Sequence, residues 1–126
     1  MNPYGHIDVR VRDLATGEAF YEALLPALGF TERYPGERWK VWATTDELPW
    51  TAYFGITESP EHAANENRIA FAVGSRADVE RVADVVRAAG APELTGPKEM
   101  PYGPCYYAIF FADPSGNRLE VYYRPA

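Results

Sequence analysis

One pattern occurs twice along the chain. From His6 to Val11 polar and apolar residues alternate, a helical pattern follows, and Gly29 closes it. From Arg68 to Val73 the alternation returns, with a second helical pattern that ends at Gly90. To within one residue, His6 and Arg68 are as far apart as Gly29 and Gly90. Alternation marks a strand with one buried face, and a stripe of period 3.6 marks a helix packed on it. Three short strand-like runs follow each helix, at about 30–34, 38–43 and 50–56, then at about 93–98, 105–112 and 118–124. A repeat of this length restricts the fold more than any composition does. The expected architecture is α+β: two tandem βαβββ modules forming a curved half-barrel sheet with a cleft.

Local signals sharpen the boundaries. Asp13 is placed to cap the first helix, with Ala19, Phe20, Ala23, Leu24, Ala27 and Leu28 along one side and Pro26 late in the pattern. Ser75 with Asp78 makes a capping-box-like start to the second, whose stripe is Val79, Val82, Val86 and Ala89. Pro35-Gly36 and residues 46–49 supply turns, and Asp113-Pro114-Ser115-Gly116-Asn117 closes the last hairpin. Residues 57–67 lack periodicity. The chain is therefore expected to be one domain, with module one over about 1–57, a linker over about 58–66 and module two over about 67–126.

The alternation assigns faces. Ile7, Val9 and Val11 belong under the first helix and Ile69, Phe71 and Val73 under the second. The opposite faces carry His6, Asp8 and Arg10; Arg68, Ala70 and Ala72; and Glu120, Tyr122 and Arg124. Ala52, Phe54 and Ile56 share one side of their strand, which leaves Tyr53 on the other. A carboxylate such as Glu120 in mid-strand needs water, a cation or a proton to be stable there. Ala70 and Ala72 leave room that a packed interior would fill. The pattern gives a cleft lined by charge and tyrosine.

Composition excludes some roles. A net charge of −6 argues against a nucleic-acid partner. No apolar run reaches membrane-spanning length, and the N-terminus lacks the apolar core of a signal peptide, so the cytoplasm is the expected location without a membrane partner. Cys105 is the only cysteine, which rules out an internal disulfide or a cysteine metal cluster; an inert core thiol is expected. His62 is expected in solvent, and Glu80, Arg81, Asp84 and Arg87 form a solvated helix face. Nine tyrosines leave enough aromatic surface for a small-molecule pocket.

Several motifs carry a resemblance to a known superfamily. They are Gly5-His6-Ile7, Val11-Arg12-Asp13-Leu14, Phe20-Tyr21 and Leu28-Gly29-Phe30, then residues 68–73 and the run from Phe111 to Glu120. On these the chain is similar to the vicinal oxygen chelate superfamily, which includes glyoxalase I, bleomycin-resistance proteins, fosfomycin-resistance enzymes and extradiol dioxygenases. The resemblance covers essentially the whole chain and implies a homodimer that binds a small molecule. It also implies a divalent metal (Zn, Ni, Fe or Mn) held at the first and last strands of each module. By position His6 and Glu120 match ligands, Tyr53 falls at the end of module one, and Arg68 stands where a histidine is usual.

Arginine has no lone pair to donate and keeps its charge, so His6 and Glu120 alone make a thin metal site. Asp8 lies two residues on, roughly 7 Å along the strand. Arg68 either pairs with Glu120 where the metal would sit or grips an anionic substrate group through its planar fork. Two functions follow. The first is a metal-free small-molecule-binding protein of the bleomycin-resistance kind, its acidic surface and aromatic cleft suited to a flat cation. Glu120 would be its catalytic group if it turned a substrate over, with Arg68, Tyr53, Tyr122, Asp8 and Arg10 contacting the ligand. The alternative is a metal-dependent lyase or isomerase of the glyoxalase I type, or a related dioxygenase or thiol transferase, in which a metal on His6 and Glu120 polarises the substrate oxygens.

Overall fold

Each helix starts where a short polar side chain caps it. In the computed structural model, which describes residues 3–45 and 51–126, Asp13 Oδ2 accepts from the Thr16 amide at 2.9 Å. Ser75 Oγ does the same for Asp78 at 3.0 Å. The elements run β1 (His6–Val11), α1 (Leu14–Ala27), β2 (Phe30–Pro35), β3 (Trp39–Thr44) and β4 (Tyr53–Glu58) in module one. Module two has β5 (Arg68–Ala72), α2 (Arg76–Ala88), β6 (Thr95–Met100), β7 (Tyr106–Ala112) and β8 (Arg118–Tyr123). The expected turn at 46–49 and the strand start at Trp50 lie outside the described residues. Gly29 and Gly90 stand just past their helices at φ +96° and +76°, left-handed values that a side chain resists.

The chain divides into two compact units, Met1–His62 and Ala63–Ala126. Their four-stranded mixed sheets have matching orders, β1-β4-β3-β2 and β5-β8-β7-β6. In each the first strand pairs parallel with the last, and the remaining pairs are antiparallel. The α+β fold of two βαβββ modules follows.

Two expectations about packing need correction. In α1 the buried residues are Leu14, Gly17, Phe20, Tyr21, Leu24 and Leu25, whereas Ala19 is exposed and Ala23, Ala27 and Leu28 only half-buried. The larger side chains bury more apolar surface, so they rotate the helix away from its alanines. Likewise β1 and β5 are edge strands, and the helices contact the other strands of their sheets. Ile7, Val9, Ile69, Phe71 and Val73 are consequently half-buried, and only Val11 of these six is fully covered, its methyls closing on Gly17.

Module one is centred on Tyr21, Trp42 and Phe54, all at most 1% exposed. The Tyr21 ring lies 5.1 Å from Phe54 and 6.3 Å from Trp42. Above it Arg33 bridges Glu18 at 2.7 Å and Glu22 at 2.8 Å, its guanidinium 4.5 Å from the Trp42 ring. In module two, Val79, Val82, Ala83 and Val86 of α2 are buried with Ile109, Phe111, Leu119 and Val121 of the sheet. Tyr107 reaches Glu80 of α2 at 3.0 Å; burial first, then that hydrogen bond, raises its hydroxyl above the usual range. Buried Asp113 closes the last turn, accepting from the amides of Ser115 and Asn117.

Candidate functional site

In module one the face away from α1 carries His6, Asp8 and Arg10 on β1, beside Tyr53, Gly55 and Thr57 on β4. His6 pairs with Tyr53 and Asp8 with Gly55. The missing side chain at Gly55 lets Asp8 lean inward: a Cβ there would stand 2.5 Å from Asp8 Oδ1. The same carboxylate lies 3.4 Å from His6 Nε2, so the spacing along the strand does not keep these groups apart. Both side chains are at least half exposed, which weakens their attraction. Tyr53 is half-buried with its ring 6.4 Å from Tyr34.

The corresponding face of module two carries Arg118, Glu120 and Tyr122 on β8 and Arg68, Ala70 and Ala72 on β5. Tyr106, Ala108 and Phe110 of β7 and Lys98 of β6 share it through the antiparallel register. Glu120 is 6% exposed. Its partner is the Tyr106 hydroxyl, which donates to Oε2. The Tyr106 ring stacks on Tyr122 at 4.8 Å with a 5° interplanar angle and meets Tyr102 edge-on. A hollow of about 350 Å³ opens beyond Tyr122, lined by Ala72, Val73, Tyr122, Arg124, Pro125 and Ala126.

The expected pairing of Arg68 with Glu120 is not formed. The register puts Ala70 beside Glu120 and Arg68 beside Arg118, one pleat away. Among the described residues no ion pair joins the two, and the Arg68 guanidinium lies 5.0 Å from the Phe110 ring instead. A second correction concerns Tyr53. Within each module the residue beside the second outward position of the first strand is Gly55 in one and Glu120 in the other. Gly55, not Tyr53, is thus the counterpart of Glu120. Cys105 is exposed at φ +58°, in the turn before β7, and is no core thiol. His62 is half-buried, with its carbonyl accepting from Arg12.

These positions test the implied metal. The two first-strand positions supply an imidazole and a guanidinium, and the two last-strand positions a glycine and a carboxylate. Half of the set has no lone pair to offer. Within either module the described residues bring no three His, Cys, Asp or Glu side chains together for an ion. Taken module by module, these positions supply fewer than the three ligands of an ordinary metal centre.

Tyr106, Phe110 and Lys98 stand on this candidate face, and the sequence reading passed them over. The signal available was alternation along β7, which puts 106, 108 and 110 on the Glu120 face once that strand is paired with β8. Burial, and then the bond to Glu120, hold the Tyr106 hydroxyl well above the ordinary tyrosine range. Because the folded state favours its proton, this group's stabilisation is complete below about pH 10 and lost as pH rises through the folded value. An ultraviolet absorbance titration should show two tyrosines ionising late, above the ordinary tyrosine range. Tyr106→Phe should remove one late step and leave the other, from Tyr107. An unchanged titration curve would contradict the burial of this hydroxyl.

The profile of the Glyoxalase/Bleomycin resistance protein/Dioxygenase superfamily matches residues 4–121. The chain belongs to that superfamily. No curated protein matches it. Among solved structures, a glyoxalase/bleomycin resistance protein from Albidiferax ferrireducens is 25% identical, with 98% of this chain and 100% of that one covered at a TM-score of 0.80. The fosfomycin resistance protein FosX from Listeria monocytogenes is 20% identical, with 99% and 95% covered and a TM-score of 0.73. A variant of that FosX, complexed with Mn(II) and 1S,2S-dihydroxypropylphosphonic acid, gives 0.70 at 20% identity over 96% and 89% of the chains. Among the described residues of this chain, no helix is long and apolar enough to cross a membrane.

Proposed function

We propose that this protein binds a small organic molecule on the Glu120 face of module two and does so without a resident metal centre. The observation that carries the reading is Arg68 at the first strand of module two, where the family resemblance implies a histidine ligand. Glu120 supports it, because its carboxylate is already engaged by Tyr106 and held in one orientation. Stacked Tyr106 and Tyr122 offer a flat surface beside that carboxylate. Glu120 is then the acceptor for a ligand N–H or O–H, and the base if the bound molecule is turned over. His6, Asp8, Arg10 and Tyr53 are proposed as polar ligand contacts on the corresponding sheet face of module one, taken by itself. A cytoplasmic homodimer is part of the proposal, and light scattering on the purified protein checks the dimer.

The test is metal content. Protein purified without chelator, incubated with excess Mn(II), Zn(II), Ni(II) or Fe(II) and then desalted, is expected to retain well under one ion per chain. Stoichiometric retention that His6→Ala and Glu120→Ala each abolish would overturn the metal-free reading. It would favour instead a metal-dependent lyase of the glyoxalase type, or a related dioxygenase or thiol transferase.

A further inference from the structure

The twelve lysines and arginines fall into distinct groups by what neutralises them. Arg33, Arg38, Lys40, Arg76, Arg81 and Arg87 each have a carboxylate partner. Arg68, Lys98, Arg118 and Arg124 have none within ion-pair distance among the described residues. Arg68, Lys98 and Arg118 stand on the one face of module two that carries Glu120, and Arg124 follows Tyr122 beside the hollow. The neighbouring Glu99 offers no relief, since alternation turns it to the other face, where it bonds Arg76.

Two of these cations share a single ring. The Arg68 guanidinium is 5.0 Å from the Phe110 centroid, and Lys98 Nζ is 5.8 Å from it. Each gains a modest cation–π attraction, yet the two like charges repel across the same small area. Among the described strand residues of this face Glu120 is the one carboxylate, and it is buried and bonded by Tyr106. A chain of net charge −6 thus keeps, among the described residues, three cations to one carboxylate where these strands carry their aromatics.

We propose that this patch is an anion receptor: the ligand of module two carries a carboxylate or phosphoryl-type oxyanion between Arg68, Lys98 and Arg118, with a flat apolar body against Phe110. The inference rests on the small-molecule reading above and sets the sign of the ligand, against the flat cation expected from the net charge. Both oxyanions match the planar fork of arginine, and the guanidinium supplies here the positive charge that a metal would otherwise bring.

Benzoate, phenylphosphonate and benzamidine, titrated by calorimetry at fixed ionic strength, test it. The two acids are expected to bind saturably and to weaken with added salt, while benzamidine does not bind. The stronger of the two acids identifies the oxyanion preferred. Arg68→Gln and Lys98→Gln should each weaken acid binding roughly tenfold, with circular dichroism unchanged. Arg87→Gln, on the far face of α2, should change nothing. Benzamidine binding as tightly as the acids, or acid binding indifferent to both substitutions, would overturn the anion receptor and leave the small-molecule reading standing. Failure of all three probes to bind would overturn both.

Discussion

Replacing Trp42 by alanine should cost about 3–5 kcal/mol, a large part of what holds a domain of this size folded. Trp42 is fully buried in the centre of module one, 6.3 Å from the Tyr21 ring. Its indole N–H donates to Glu22 at 2.6 Å, and the Arg33 guanidinium lies over its ring. The hydrogen bond alone is worth about 1 kcal/mol, or somewhat more because its acceptor is charged. The larger share comes from the buried ring, whose loss leaves a cavity that the surrounding strands only partly close. Arg33 compounds the effect, because removing the indole also removes the ring beneath its guanidinium, 4.5 Å away. Urea unfolding followed by circular dichroism measures the change. Trp39→Ala is the contrast: that ring is 45% exposed and should cost below about 1 kcal/mol. Equal losses at the two positions would mean that module one is not packed around Trp42.

The same contrast shows what a sequence can reveal. Alternation assigned the outward residues of β1, β5 and β8 because a period of two leaves little freedom, and His6, Asp8, Arg68, Glu120 and Tyr122 all fell where it put them. The repeat supplied the rest of the topology. What stayed hidden depended on register between strands. Tyr106 and Tyr107 are adjacent and chemically alike, yet pairing with β8 sends one to Glu120 and the other to Glu80. Gly55 was passed over for Tyr53 because an absent side chain leaves no signal until its neighbour, Asp8, is seen leaning into the space. Helix α1 misled for another reason: Ala19, Ala23 and Ala27 recur every four residues and imitate a buried stripe, and only packing selects Tyr21 over Ala19. Cys105 was misplaced because its position depends on a left-handed turn residue, and cysteine is no marker of such a turn.

Arg68→His should raise affinity for Mn(II) by more than about 100-fold. Two effects add. The substitution removes a fixed positive charge near Glu120, and it supplies a neutral imidazole at the position where the family resemblance implies one. A partner outside the coordination shell is worth about 10–100-fold in metal affinity, so a gained ligand together with a lost repulsion should exceed that. Gly55→Glu should not substitute for it. That side chain would have to displace Asp8, whose carboxylate already stands 2.5 Å from where the new Cβ would lie, and Arg68 would keep its charge. Calorimetric titration of both variants with Mn(II) separates the cases, and Arg68→Gln is the control that removes charge without adding a donor. If Arg68→Gln gains as much as Arg68→His, repulsion alone kept the metal out and the imidazole ligates nothing. If neither gains, the guanidinium is not what separates this chain from a metal-binding member of its superfamily. The engagement of Glu120 by the Tyr106 hydroxyl would then be the reason.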